Sequence, residues 1–543
     1  MSASRLSKMR LCLAFLSAVA CQPDEGRKSL PNQSIQSPAV GATVPTEPSE
    51  SEGQHLPLGV RRAHYAITKL YLDRAERILG SAFGPEAAVA RARLAVYRAD
   101  CQTALSHLTT ESARQLKSAD ELVRMVPRCA AATSGGVIVV DEEAGVWLRL
   151  QDDADQVLAP LLISVAKRAR AILEKDLGET LPRPLRIDLV RDLFSLASVS
   201  GLPLEAAETT GTVAVARWGR VTMVSPRAMR RGFPWADTLA HEITHLLISR
   251  ATADRAPLWL QEGVAKREEH RWRAEQLFDD AVDFSERAFE AERRGRAIGV
   301  SNLGPSIAML PSAEDASIAF AEVTSFMSYW IEQNGPHSLG LLLRDIEVAN
   351  SAGAAMSSVS GYSIADWELL WRSELKRRFA LGEQSEPALH EESVSRRAAA
   401  KALRLTELLT VDGQAAAAAD YAASQLDQAV HIASFRFFAA RAALLQENES
   451  WSTLLGSVSD VNEPHAGWLA LSARKEGQAQ SSAEAEGYFD QALALDPLLP
   501  EVACRGVPWV GAVPTQGANV SQKRSRADDL CSHARSLTVR GSR

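Results

Sequence analysis

The chain changes periodicity twice, and those changes limit it to a mixed fold. From about residue 55 to 132, in stretches such as "YAITKLYLDRAERIL" and "PEAAVARARLAVYRAD", apolar residues recur every three or four positions, the spacing of one buried helix face. Beyond that point β-branched runs take over. "GGVIVV" and "RPLRIDLV" read as strands flanking a long helix near 155–177, and "GTVAVARWGRVTMVS" alternates and turns at Trp218-Gly219, as a hairpin does. Helical spacing returns in "SFMSYWIEQNG", "LGLLLRDI" and "SIADWELLWRSELKRRF", and from about 390 onward the chain is helical and Ala-rich. With 543 residues there is room for two or three cores. The expectation is an α+β protein: a domain over 133–380 with a small mixed sheet and a helical lobe, flanked by all-α regions over 55–132 and 381–543.

The first 21 residues are a targeting segment. Arg5, Lys8 and Arg10 precede the apolar run "LCLAFLSAVA", which is too short to span a bilayer comfortably and reads as a signal peptide. It ends in "SAVAC", which resembles the lipobox of bacterial lipoproteins, with Ala18 where Leu is usual. That resemblance implies lipidation at Cys21 and anchoring by acyl chains; plain secretion with cleavage nearby is the alternative. Gln22 rather than Asp after the cysteine implies the outer membrane of a Gram-negative envelope, with the body in the periplasm or exposed at the surface. Residues 22–54, rich in Pro, Ser, Gly and Glu, cannot offset the entropy of ordering and form a flexible tether. In an oxidising compartment the remaining cysteines are expected to pair as Cys101–Cys129 and Cys504–Cys531. A net charge of −7 with no basic stripe argues against a nucleic-acid partner.

The chemistry concentrates in "HEITH". His241 and His245 lie four residues apart, hence one turn apart on one helix face, where both can reach one zinc ion, with Glu242 beside them. "APLWLQEGVAKREE" then opens with Pro257, suited to a helix start, and places Glu262 where an antiparallel helix could return a carboxylate to the histidines. Two histidines, one glutamate and an open fourth position make the ligand set of a catalytic zinc.

With these residues in view, HEITH followed by "WLQEGVA" resembles the gluzincin metallopeptidases, and more narrowly a bacterial group of them fused to tetratricopeptide (TPR) units. The likeness covers roughly 133 to 380. It implies a thermolysin-like fold, Zn2+ held by His241, His245 and Glu262, and Glu242 as general base. It also implies a peptide or protein substrate, an extended stretch of which would pair with the edge of the "TVAVAR/RVTMVS" hairpin. The helices of 55–132 and "AEAEGYFDQALALDPLLPEVA" (483–503), with its Asp496-Pro497 ending, resemble TPR units, which would offer surfaces to envelope proteins; a plain helical bundle is the alternative.

Two departures limit the likeness. Relatives carry a tyrosine in the helix matching "AFAEVTSFMSYW", where many gluzincins use Tyr or His to stabilise the oxyanion. Phe320 and Thr324 occupy the expected positions, and Tyr329 lies nine residues beyond Phe320. The Gly-x-Met-Glu-Asn segment of zinc aminopeptidases is absent, which disfavours that activity. The alternative to a peptidase is therefore a weak or inactive peptidase-fold lipoprotein acting as a TPR-type scaffold. Trp259, Trp330 and Trp367 are expected in the core. Lys266-Arg267-Glu268-Glu269 is expected to be a solvated face, from which Glu268 or Glu269 could still orient a ligand histidine. His270 and His337 read as surface residues.

Overall fold

The computed structural model describes residues 56–504, apart from 230–231, 276–282, 301–302, 304–306, 308–309, 350, 380–388, 412 and 479–481, together with Cys531. The signal peptide, Cys21 and the tether lie outside the described residues. The protein is mostly helical with one five-stranded mixed sheet, an α+β architecture.

Six helices come first: α1 (Leu58–Thr68), α2 (Leu72–Gly80), α3 (Pro85–Tyr97), α4 (Cys101–His107), α5 (Glu111–Arg114) and α6 (Asp120–Thr133). Strands β1 (Val137–Asp141) and β2 (Val146–Leu150) form a hairpin, α7 (Ala159–Leu177) crosses over, and β3 (Leu185–Val190) runs parallel to β2. Helices α8 (Leu193–Ser200) and α9 (Leu204–Thr210) lead to the hairpin of β4 (Ala214–Arg217) and β5 (Arg220–Val224). The order across the sheet is β1-β2-β3-β5-β4, so among the described residues β4 is an edge strand.

The hairpin turns where the sequence indicated. Trp218 and Gly219 both have positive φ, 58° and 68°, the conformation a two-residue turn between twisted strands needs. Gly219 adopts it freely. Trp218 is held there by its indole N–H donating to Ser200 O and by an edge-on contact with Tyr97. Strand β2, "VWLRL", escaped the sequence reading because its buried Arg149 breaks the apolar pattern. Arg149 is tolerated because it pairs with Asp188 of β3, which also pairs with the fully buried Arg220 of β5.

The site-bearing helices follow: α10 (Trp235–Thr252), α11 (Leu258–Glu268), α12 (Phe284–Arg293), α13 (Ala313–Asn334), α14 (Ser338–Ala349), α15 (Ala352–Ser360) and α16 (Ile364–Phe379). One large hydrophobic cluster joins the sheet to α7, α10, α11, α13 and α14, and contains Trp259, Trp330 and Trp367 as expected. The N-terminal helices share a second cluster with Val190, Val199, Trp218 and Val224, so they pack onto the sheet as part of one layered body.

The chain ends in α17 (Leu389–Val411), α18 (Ala415–Ala429), α19 (Ala433–Leu445), α20 (Trp451–Leu455), α21 (Ala466–Gln478), α22 (Ser482–Leu495) and α23 (Pro500–Ala503), with successive helices stacked in a repeat-like manner around a third cluster. Both expected disulfides form, Cys101–Cys129 between α4 and α6 and Cys504–Cys531 at the end of the described chain. Among the described residues no helix is long and apolar enough to cross a membrane.

Candidate metal centre

Helix α10 is buried along most of its length, with Leu239, Ile243, Leu246 and Leu247 in the central core. That packing fixes its rotation and leaves His241 and His245 facing a common space, their Nε2 atoms 3.1 Å apart. The chain reverses through Ala253, whose φ of 52° ends the helix, and α11 packs back against α10. Gly263 sets how deeply α11 sits: a Cβ there would lie 2.5 Å from Val323 O and 2.8 Å from Met327 Cγ of α13. Only glycine permits that approach, and Trp259 seals the same contact edge-on against Phe326. The neighbouring Glu262 thereby presents Oε2 at 3.5 Å from His241 Nε2 and 3.6 Å from His245 Nε2.

The triangle of 3.1, 3.5 and 3.6 Å matches one face of a tetrahedral zinc site, whose ligand atoms at bond lengths of about 2.0–2.1 Å stand roughly 3.3 Å apart. The outer ring nitrogens supply the second part of the fit. His241 Nδ1 lies 3.2 Å from Glu269 Oε2 and His245 Nδ1 lies 3.2 Å from Gln261 Oε1. Both acceptors hold a proton on Nδ1, which leaves Nε2 of each ring as the nitrogen that would ligate a cation. Two such nitrogens and the Glu262 carboxylate make a donor set for a cation, which would displace the proton that His241 otherwise binds. The described residues hold no other cluster of this kind.

Three carboxylates dominate the electrostatics around His241. Burial disfavours a charge on His241, but the Glu262, Glu269 and Glu242 carboxylates outweigh it and raise its pKa to about 10. Burial likewise opposes the charge on Glu262, yet His245 and His241 hold its pKa well below the usual range. Glu242, only 7% exposed, is raised by burial, an effect moderated by His245 and His241. The backbone N–H of Ala216, on the facing strand, works the other way and favours the charged form. Val224 N donates to Val213 O, and this phase turns the main-chain groups of Val215 toward β5 and those of Ala214 and Ala216 outward. The outer side of β4 therefore runs alongside Glu242.

The run Lys266–Glu269 is not a solvated face. Glu268 and Glu269 are 1% and 6% exposed, and the charges are admitted because they neutralise one another: Lys266 pairs with Glu269, and Arg267 with Glu268. Glu269 bridges His241 Nδ1 and His270 Nε2, each at 3.2 Å, and His270 also lies 3.6 Å from Asp237. His270 is half-exposed and joins this network without facing the ligand triangle. Glu268 turns away, toward Arg267 and Arg271.

Tyr329 lies on a different face of α13. Nine residues at 100° each put it half a turn from Phe320, whereas Phe320, Thr324, Val323 and Met327 share the side turned to α11. The contacts of Tyr329 are instead with Trp367, edge-on at 6.2 Å, and it is raised by burial and by the charge of Glu374 on α16. Gln261, Lys266 and Ala216 are site residues that the sequence reading missed. For Lys266 a signal was present: 262, 266 and 269 fall on one helix face. For Gln261 and Ala216 none was, since one is defined by a rotamer and the other by its backbone.

Compared with known proteins, the chain matches no family model, and no curated protein is significantly similar to it.

Proposed function

We propose that the chain is a zinc-dependent peptide hydrolase of the gluzincin type with a thermolysin-like active-site domain, working at the bacterial cell envelope on a peptide or protein substrate. The observation that carries this reading is the closed triangle of His241, His245 and Glu262 with both outer ring nitrogens already engaged. Zinc bound by those three residues supplies a Lewis acid that acidifies a water toward neutral pH and polarises a carbonyl.

The remaining work falls to the chain's own groups. Glu242, raised by burial and facing the Ala216 N–H, is suited to take a proton from water and return it to the leaving amine. The outward carbonyls of Ala214 and Ala216 would offer an extended peptide acceptors to pair with beside that carboxylate. Glu269 and Gln261 keep the imidazoles in the ligating tautomer. The lipid anchor at Cys21, with the tether of 22–54, would hold the body at the membrane, and the flanking repeat-like helices would present partner proteins.

The second reading, a slow or inactive peptidase fold acting as a TPR-type scaffold, is favoured by the placement of Tyr329 on the far face of α13, with Phe320 and Thr324 where an oxyanion donor is expected. Absence of one such donor costs about a hundredfold or more in rate. Zinc content and cleavage of unfolded casein, measured on wild type and on Glu242→Gln, separate the readings. One zinc per chain with cleavage lost in the variant is expected. Stoichiometric zinc with no Glu242-dependent cleavage would leave the scaffold, and no zinc would sink both.

A further inference from the structure

Both ends of the metal-bearing helix are held from outside residues 133–380. At its C-terminal end Lys69 Nζ donates to Ala251 O and ion-pairs with Glu347, while Arg250 ion-pairs with Glu179 and donates to Lys69 O. The N-terminal end, which leads into His241 and Glu242, rests on the last repeat-like helix pair. Phe233 N donates to Leu495 O and the buried Trp235 indole N–H to Leu493 O, each at 3.1 Å. These carbonyls belong to the last turn of α22, where a helix has no partners of its own. Gly232, at φ 67°, lies directly on them, since a Cβ there would be 2.4 Å from Leu495 O.

The turn that follows α22 is built for this contact. Asp496 accepts from the N–H groups of Leu498 and Leu499, both at 3.1 Å, and so bends the chain into α23. The bend sends Leu498 and Ala503 into the central cluster that also packs α10. Trp235 precedes His241 by six positions, about 9 Å along the helix. The Asp-Pro elbow thus serves as the seat for the start of α10.

We propose that the α22–α23 elbow positions the metal site: by fixing the start of α10 it sets His241 and Glu242 against Glu262, so zinc loading and docking of the C-terminal helical region are thermodynamically linked. The link is reciprocal, as any coupling between two equilibria must be. A loaded site would then stiffen residues 493–503, and a loosened elbow would weaken metal retention. The inference rests on the zinc reading above, and its test separates the two.

The test is hydrogen exchange on the full chain with and without one equivalent of zinc, together with zinc affinities by chelator competition for wild type, Trp235→Phe and Ala422→Gly. Phenylalanine keeps most of the packing and leaves Leu493 O unpaired. Ala422, buried in α18 away from the elbow, reports general loosening of the C-terminal region. Zinc is expected to slow exchange across 493–503 as well as 236–245. Trp235→Phe is expected to weaken zinc binding at least about fivefold, the lower end of ordinary coupling, with Ala422→Gly within about twofold of wild type. Zinc bound with no added protection at 493–503, or equal losses in the two variants, overturns the link. A chain that takes up no zinc overturns the metal reading beneath it.

Discussion

Glu269→Gln tests the centre closely, because the amide keeps the side chain's length and an oxygen able to accept from His241 Nδ1, and removes only the charge. The carboxylate lies 3.2 Å from Nδ1. The width of the imidazole plus one metal–nitrogen bond adds roughly 4 Å, so charge and cation would stand about 7 Å apart. At an effective dielectric of about 20, a divalent cation and a unit negative charge at that separation attract by roughly 5 kcal/mol. Lys266 shares the same carboxylate, and its charge with solvent relaxation cancels more than half of this. About 2 kcal/mol remains, or roughly thirtyfold in the zinc dissociation constant, inside the about 10–100-fold typical of outer partners of a metal ligand. Competition against a chromophoric chelator at fixed pH and ionic strength measures it, with circular dichroism confirming the fold. A change below about threefold would refute the reasoning and assign the orientation of His241 to packing alone.

Gly263→Ala places a Cβ against Val323 O and should cost about 1–3 kcal/mol in urea unfolding; an unchanged midpoint would mean that α11 and α13 separate freely. Replacing both Cys101 and Cys129 by Ala opens a 28-residue loop and should cost roughly 3–4 kcal/mol, while a loss under about 1 kcal/mol would show that helix packing alone holds α4 to α6. Burial pushes Asp496 up to about 6 against about 3.9 in the unfolded chain, so the native state holds its proton more tightly. Its contribution is full below about pH 4 and lost as pH rises through about 6, on the order of 3 kcal/mol. Asp496→Asn should remove that much of the stability difference between pH 4 and 7, and identical pH dependence in both proteins would contradict it.

The hairpin and most helices were legible because their signals are local: alternation around Trp218-Gly219, and apolar residues at helical spacing from Leu239 to Leu247. What stayed hidden depended on distant partners. Strand β2 looks too polar at Arg149 until Asp188, on another strand, is known to receive it. The packing of the N-terminal helices onto Trp218 and Val224 likewise has no trace in either segment alone.

The site divides along the same physical line. The cluster of His241, His245 and Glu262 could be named from sequence because a metal-binding pattern fixes both residue type and spacing, and helix geometry turns spacing into direction. The run Lys266–Glu269 was misread because four consecutive charges are ordinarily solvated, and the rule fails where opposite charges satisfy one another beside buried imidazoles. Periodicity could have corrected it, since Glu262, Lys266 and Glu269 share a face with a ligand at one end. The oxyanion partner is the reverse case. The nine-residue offset of Tyr329 already implied a half-turn, and the contact with Trp367 accounts for where the ring goes. If cleavage is as fast as in enzymes with a tyrosine at that place, a group outside the α11-facing side of α13 must supply the donor. If it is a hundredfold slower, the ligand triangle and Glu242 are the whole of the machinery.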